Sequence, residues 1–358
     1  MGSIPITRFF IIYEGKPQFT GLPDFIPIVF RYVRTICQGQ EVLRMKIVFL
    51  DVKTIGEDLD LSNFDQLGEV VKYPFSSPGE IPARAADADV LVLNKPRIDE
   101  EAIRDAAKLK LVCVTGTGTN NLDKDYLKSR DIAWRNVAGY STESVAQHTF
   151  AMLFYLLNKL RYYDDYVKEG RYTDDTSFTH FEEHFHELSK KTWGIIGLGN
   201  IGRRVASIAE AFGAKVIYSS PSGSAPQPGY HQVDMNTLLS LSDIISVHAP
   251  LTPYTKDLIG ADAFRRMKSS CIFLNLGRGS IVSEQALAEA LTKNEIAAAG
   301  SDVLCTEPID PDNPLLAVKD SRKLFITPHV AWASVEARTR LMDTIYCQIR
   351  DYFRQSAS

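Results

Sequence analysis

The stretch Trp193-Gly194-Ile195-Ile196-Gly197-Leu198-Gly199-Asn200-Ile201-Gly202 decides the reading of this chain. Its first half has the length and composition of a buried strand, and Val205, Ile208, Ala209 and Phe212 after it share one helical face that ends at Gly213. A further apolar run, Lys215–Ser219, comes next. A G-x-G-x-x-G alone says little. Between a strand and an amphipathic helix, with another strand following, it is the dinucleotide-binding fingerprint. Gly197 permits the tight turn, Gly199 lets backbone amides approach a pyrophosphate, and Gly202 lets helix and strand pack closely. Asn200 and Ile201 belong to the same cradle, at a helix start that offers partial positive charge to phosphate. The acidic residue that often ends the second strand and grips the ribose of NAD is missing. That strand ends Tyr218-Ser219-Ser220-Pro221-Ser222, with no adjacent Arg or Lys to hold a 2′-phosphate. Ser219 can hydrogen-bond either sugar, so the reading is NAD with NADP left open.

Outward from this motif, short apolar runs alternate with helical patterns, the mark of an α/β fold with parallel sheets. The runs are Ile47–Val52, Val90–Leu93, Leu111–Val114, Ile132–Val137, Trp193–Gly197, Lys215–Ser219, Ile244–His248, Ile272–Leu276, Ala297–Val303 and Leu324–Thr327. Most lack polar alternation, which predicts helices on both sheet faces. The 358 residues correspond to about two domains at roughly 150 residues each. A long helix from Thr142 to about Tyr166, capped by Ser141 and free of Pro and Gly, is expected to carry the chain from one unit into the next. Val335, Leu341, Met342, Ile345, Ile349 and Phe353 repeat at helical spacing and predict a final helix that returns to the first unit. The expected organisation is therefore an irregular N-terminal extension over 1–44, a substrate domain over 45–139, a dinucleotide domain over 140–331 and a returning helix over 332–358.

Composition narrows the function. Forty basic against forty-four acidic residues give a net charge of −4, which argues against a nucleic-acid footprint. No apolar run approaches the ~18 residues of a membrane helix. Cys37, Cys113, Cys271, Cys305 and Cys347 are scattered and odd in number, which fits a reducing cytoplasm and neither a disulfide framework nor a zinc finger.

Three ionisable residues follow later strands, at the end of an α/β sheet where ligands bind. Arg278 lies in Asn275-Leu276-Gly277-Arg278-Gly279, Glu307 in Asp302-Val303-Leu304-Cys305-Thr306-Glu307-Pro308, and His329 after Phe325-Ile326-Thr327-Pro328. With the glycine fingerprint, these motifs closely resemble the D-isomer-specific 2-hydroxyacid dehydrogenase family over roughly residues 45 to 353. Tyr140-Ser141-Thr142-Glu143-Ser144-Val145-Ala146-Gln147-His148-Thr149, Thr306 through Leu316 and His329-Val330-Ala331-Trp332-Ala333 are similar to its glycerate dehydrogenase (hydroxypyruvate reductase) branch.

The resemblance implies two doubly wound parallel-sheet domains, a flavodoxin-like substrate domain and a Rossmann domain for NAD, with the cleft between them. It also implies a homodimer acting on a small 2-keto or 2-hydroxy acid. His329 is then the general acid, Glu307 the carboxylate that orients and charges its ring, and Arg278 the fork for substrate carboxylate and carbonyl. Ala249 and Pro250 would line the adenosine side, Leu276 and Gly277 the cofactor beside Arg278, and Thr255 the phosphates. Asp302 would accept from the nicotinamide amide. Thr117 and Gly118 of the loop Val114–Asn121, with Lys95 beside Asn94, would meet the substrate. Glyoxylate or another short 2-keto acid, or a non-catalytic NAD-binding scaffold of the co-repressor kind, are the alternatives.

Other features are weighed and set aside. His180, His184 and His186 with Glu182, Glu183 and Glu187 do not make a zinc-protease pattern, and the chemistry needs no metal; the segment reads as a connector or subunit contact. Cys305 reads as a small buried hydrophobe. His148, His248 and the Tyr162, Tyr163 and Tyr166 group read as packing residues.

Overall fold

Strands apolar along their whole length need cover on both faces, and the chain provides it around two parallel sheets. The computed structural model describes residues 45–221, 223 and 227–356; the expectation for 1–44 lies outside them. The first sheet contains β1 (Met45–Phe49), β2 (Gly68–Lys72), β3 (Val90–Leu93), β4 (Leu111–Val114) and β5 (Ala133–Arg135) in the order β2-β1-β3-β4-β5. The second contains β6 (Thr192–Ile196), β7 (Lys215–Ser219), β8 (His231–Gln232), β9 (Ile244–Val247), β10 (Ile272–Asn275), β11 (Ala298–Ser301) and β12 (Leu324–Ile326), in the order β12-β11-β10-β9-β6-β7-β8. Every pairing in both sheets is parallel. Both orders reverse beside their first strand, the doubly wound arrangement that opens a crevice at the carboxyl ends of the strands.

Alternate residues of the second sheet feed opposite cores. Ile245, Val247 and Phe273 pack with Phe264 and Leu287 on one face, while Ile195, Ile244 and Leu274 pack with Phe150, Leu153 and Val205 on the other. The first sheet has its own core, built on Val48, Leu91, Leu93 and Val112. Two strands that the sequence pattern did not show, β2 and β8, lie at sheet edges, and neither contains a fully buried residue.

The helical stretch after Tyr140 differs from the expectation. It is two helices, Thr142–Leu157 and Leu160–Lys168, because Lys159 takes a left-handed backbone at φ 54° and breaks the ladder without Gly or Pro. Ser141 holds the cap position, but its hydroxyl makes no capping hydrogen bond. The first helix lies on the second sheet: Gly300 of β11 is so close that a Cβ there would sit 3.2 Å from Met152 Cε. The last helix, Val335–Ser356, lies on the first lobe. Tyr346 packs edge-on against Phe64 with centroids 5.6 Å apart, and Gln348 Nε2 donates to the Asn136 carbonyl at 3.0 Å.

Candidate active site

The glycine loop is shaped by what it excludes. Gly197 has φ 93°, and a Cβ on it would lie 2.8 Å from the Ala249 backbone, so only glycine lets the ends of β6 and β9 meet. A Cβ on Gly202 would lie 2.3 Å from the Gly197 carbonyl oxygen, and one on Gly277 would lie 2.9 Å from that of Ala249. By contrast, a Cβ on Gly199 would have no neighbour within 4 Å. Gly199 therefore faces open space at the start of the helix Asn200–Ala211, where free amides point outward. This cradle, at the switch point between β6 and β9, fits the pyrophosphate of a dinucleotide. Leu276 and Ala249 line its buried floor, and Ser219 closes the end of β7. The Thr255 hydroxyl is used inside its own loop, donating to the Pro250 carbonyl at 2.7 Å and accepting from the Thr252 amide at 2.7 Å.

His329 is held in an uncommon backbone conformation, φ 55°, and the restraint is Asp302. This buried carboxylate accepts from the Val330 and Ala331 amides at 2.9 Å each and from Thr327 Oγ1 at 2.6 Å, while the His329 amide donates to the Asp302 carbonyl at 2.8 Å. His148 Nε2 lies 3.0 Å from Thr327 Oγ1 and so extends the network. The turn aims the ring at Glu307, whose Oε2 is 2.7 Å from His329 Nδ1. That contact fixes Nδ1 and leaves Nε2 as the nitrogen that can trade a proton with a bound molecule. Burial opposes ionisation of Glu307. The hydrogen bonds from His329 and from the Leu304 amide at 3.1 Å, with the nearby Lys95 charge, outweigh it and hold the carboxyl below its ordinary value.

The first lobe reaches this pair from the other side. Lys95 Nζ is 3.7 Å from Glu307 Oε2. Arg278 Nη2 lies 3.1 Å from where a Cβ on Gly118 would stand, so glycine there leaves room for the guanidinium, whose Nη1 also donates to the Gly277 carbonyl at 2.8 Å. Lys95, Glu307 and His329 thus meet, and Arg278 stands against Gly118 of the same lobe that carries Lys95. Thr117 is exposed beside them, and its hydroxyl donates to the Val137 carbonyl at 3.0 Å.

Two residues here escaped the sequence reading. Asp51, at the end of β1, accepts from the Asn94 amide at 2.9 Å and the Lys95 amide at 2.9 Å, and so fixes the turn that carries Lys95. Burial pushes its carboxyl up to about 6 against the pull of those amides and of the Lys95 charge. The only sequence signal was an acid ending an apolar strand. Tyr140 lies near Arg278, its phenol pushed up to about 12 by burial despite that charge.

The residues set aside have other surroundings. His180 stacks on Tyr166 with centroids 3.8 Å apart and meets Tyr162 Oη at 2.8 Å. Among the described residues no group of three His, Cys, Asp or Glu is arranged to hold a metal ion. Cys305 is exposed, contrary to the expectation, because it sits in the turn after β11 rather than in the core; partial burial of its sulfur and the Glu284 carboxylate push its thiol up. His248 contacts Ser246 Oγ at 3.1 Å, and burial pulls its ring down to about 3.

The chain resembles known proteins over most of its length. Residues 150–331 match the D-isomer specific 2-hydroxyacid dehydrogenase NAD binding domain. The chain is 35% identical to a hydroxypyruvate reductase of Blautia hydrogenotrophica over 320 residues, 87% of this chain and 98% of that one. It is 36% identical to a glycerate dehydrogenase of Methylorubrum extorquens over 301 residues, 84% of this chain and 93% of that one. An acyclic imino acid reductase solved with NADPH and D-arginine superposes with a TM-score of 0.77 at 30% identity, covering 87% of this chain and 98% of that one.

Proposed function

The chain belongs to the D-isomer specific 2-hydroxyacid dehydrogenase family, and from that premise we propose that it reduces hydroxypyruvate to D-glycerate with NADH and catalyses the reverse oxidation. The observation that carries this reading is the 2.7 Å contact between His329 Nδ1 and Glu307 Oε2 in a chain whose residues 150–331 match the family's NAD binding domain. Reduction of a 2-keto acid adds a hydride to the carbonyl carbon and a proton to its oxygen. Bound in the cradle, the reduced nicotinamide supplies the hydride. Everything else falls to side chains. Arg278 takes the substrate carboxylate and carbonyl in a planar fork and draws charge toward the oxygen. His329 donates its Nε2 proton to that oxygen as negative charge grows there. Glu307, ionised, accepts from Nδ1 of the ring and holds its orientation. Lys95 and the Thr117 and Gly118 amides complete the carboxylate site. Asp302 holds the His329 turn, and its carboxylate would be the acceptor for the nicotinamide amide.

Two subsidiary assignments go with this reading. The exposed aromatic side chains Phe178, Phe181 and Phe185 support pairing of two copies. No described helix is long and apolar enough to cross a membrane, and the scattered cysteines support a cytoplasmic location. The test is a pair of variants. His329→Ala loses turnover by about 100-fold or more while NADH binding stays near wild type. Arg278→Ala chiefly raises KM for the keto acid. Loss of NADH binding in either variant would show that the residue has been given the wrong part of the site.

A further inference from the structure

The end of β7 carries no acid, yet the space beside it is not neutral. A cavity of about 550 Å³ opens there, lined by Ser219, Ser220, Gln232, Val233 and Asp234. The pairing of β7 with β8 explains the company. Tyr218 faces Gln232 in parallel register, and the Val233 amide donates to the Tyr218 carbonyl at 2.9 Å. Ser219 ends β7 and Ser220 follows it, Val233 and Asp234 follow β8, and all four line the cavity. The sequence from Ser219 to Gln232 contains no Lys or Arg. Arg203, in the glycine-loop helix, is occupied at the helix start, donating to the Leu198 carbonyl at 3.3 Å and to Asn200 Oδ1 at 2.7 Å.

We propose that Asp234 is the residue that selects NADH over NADPH, an acid supplied from the turn after β8 in place of the missing acid at the end of β7. The inference rests on the dinucleotide reading of the cradle. The Asp234 carboxylate is fixed in place: Oδ1 accepts from the Thr237 amide at 3.0 Å and Oδ2 from Thr237 Oγ1 at 2.5 Å. Those hydrogen bonds hold the carboxyl below its ordinary value, so it is charged at neutral pH. A ribose hydroxyl can donate to such a group. A 2′-phosphate brings roughly −1.5 to −2 charge and only acceptors, and meets an anion with no cation among the lining residues. The carboxylate also caps the helix Met235–Leu241 through the Thr237 amide.

The experiment measures Kd for NADH and for NADPH by nucleotide fluorescence, without substrate, in the wild type, Asp234→Asn and Asp234→Ser. Both replacements keep a capping side chain, so folding is preserved while the charge goes. The wild type is expected to bind NADH about tenfold more tightly than NADPH, with the ratio falling to about twofold in both variants. Because Asp234 is exposed, raising salt from about 50 to about 500 mM should narrow the wild-type ratio and leave the variants unmoved. An unchanged ratio in both variants, or tighter NADPH binding by the wild type, would overturn the assignment to Asp234. Absence of binding by either nucleotide would instead overturn the dinucleotide reading beneath it.

Discussion

Gly199 and Gly202 stand three residues apart in one loop, yet the structure gives their substitution opposite consequences. In Gly202→Ala the new Cβ would sit 2.3 Å from the Gly197 carbonyl oxygen and 3.3 Å from Ile195 Cγ2. Relief to an ordinary carbon–oxygen separation of roughly 3.3 Å moves the helix Asn200–Ala211 about 1 Å off its strand. Overpacking of that kind costs about 1–3 kcal/mol, of which the better helix propensity of alanine returns at most ~1. In Gly199→Ala the Cβ meets nothing within 4 Å, and the backbone, at φ −76°, already suits alanine. Its stability cost is that of a poorer cap, about 0.5–1 kcal/mol. The methyl group would instead fill the space kept for phosphate, and NADH binding should weaken by about tenfold or more. Denaturant unfolding and NADH fluorescence on both variants separate the two effects. Wild-type NADH affinity in Gly199→Ala would refute the cradle, and wild-type stability in Gly202→Ala would refute the packing argument.

Other consequences concern acids and their partners. Asp51 is buried with its carboxyl raised to about 6 from 3.8, so its contribution is fully present below the unfolded value and is lost as pH rises through the folded one. The loss is about 3 kcal/mol, mostly between about pH 4 and 6. Asp51→Asn should flatten that part of the stability profile measured by urea unfolding; an unchanged slope would contradict it. Glu307 runs the other way: its folded carboxyl is depressed, so its stabilisation is present at neutral pH and fades as pH falls through the folded value. Lys95→Met should leave stability within about 1 kcal/mol, because the ion pair with Glu307 is largely exposed on the lysine side. The same change should raise KM for the keto acid by about tenfold, and an unaltered KM would remove Lys95 from the site. Asp302→Asn places an amide donor against one of the Val330 and Ala331 amides, which donate to different oxygens, and should cost about 2–3 kcal/mol together with turnover. A loss below about 0.5 kcal/mol would mean that the carboxylate does not hold the His329 turn.

What could be read in advance follows from where each residue stands. β3, β4, β9 and β10 are buried at every position, and their unbroken apolar runs announced them. β2 and β8 are sheet edges whose residues meet solvent, so little hydrophobic signal was there to see. The break at Lys159 is likewise invisible in sequence, since neither Gly nor Pro marks the left-handed turn. Arg278, Glu307 and His329 stood out because each follows a strand, although only folding brings Glu307 to 2.7 Å from a histidine 22 residues away. Asp51 and Asp302 work through amides 43 and 28 residues distant, and no local pattern records such a bond. Cys305 was misjudged because residue type predicts burial on average, whereas a turn after a strand exposes whatever it holds.

The central claim is tested most directly by following nicotinamide absorbance with the purified protein, NADH, and a panel of 2-keto acids that includes hydroxypyruvate, glyoxylate and pyruvate. The expected result is rapid oxidation of NADH with hydroxypyruvate, slower turnover of the others, and reverse oxidation of D-glycerate but not of its L isomer. Tight NADH binding with no turnover of any keto acid would contradict it and leave a dinucleotide-binding scaffold in its place.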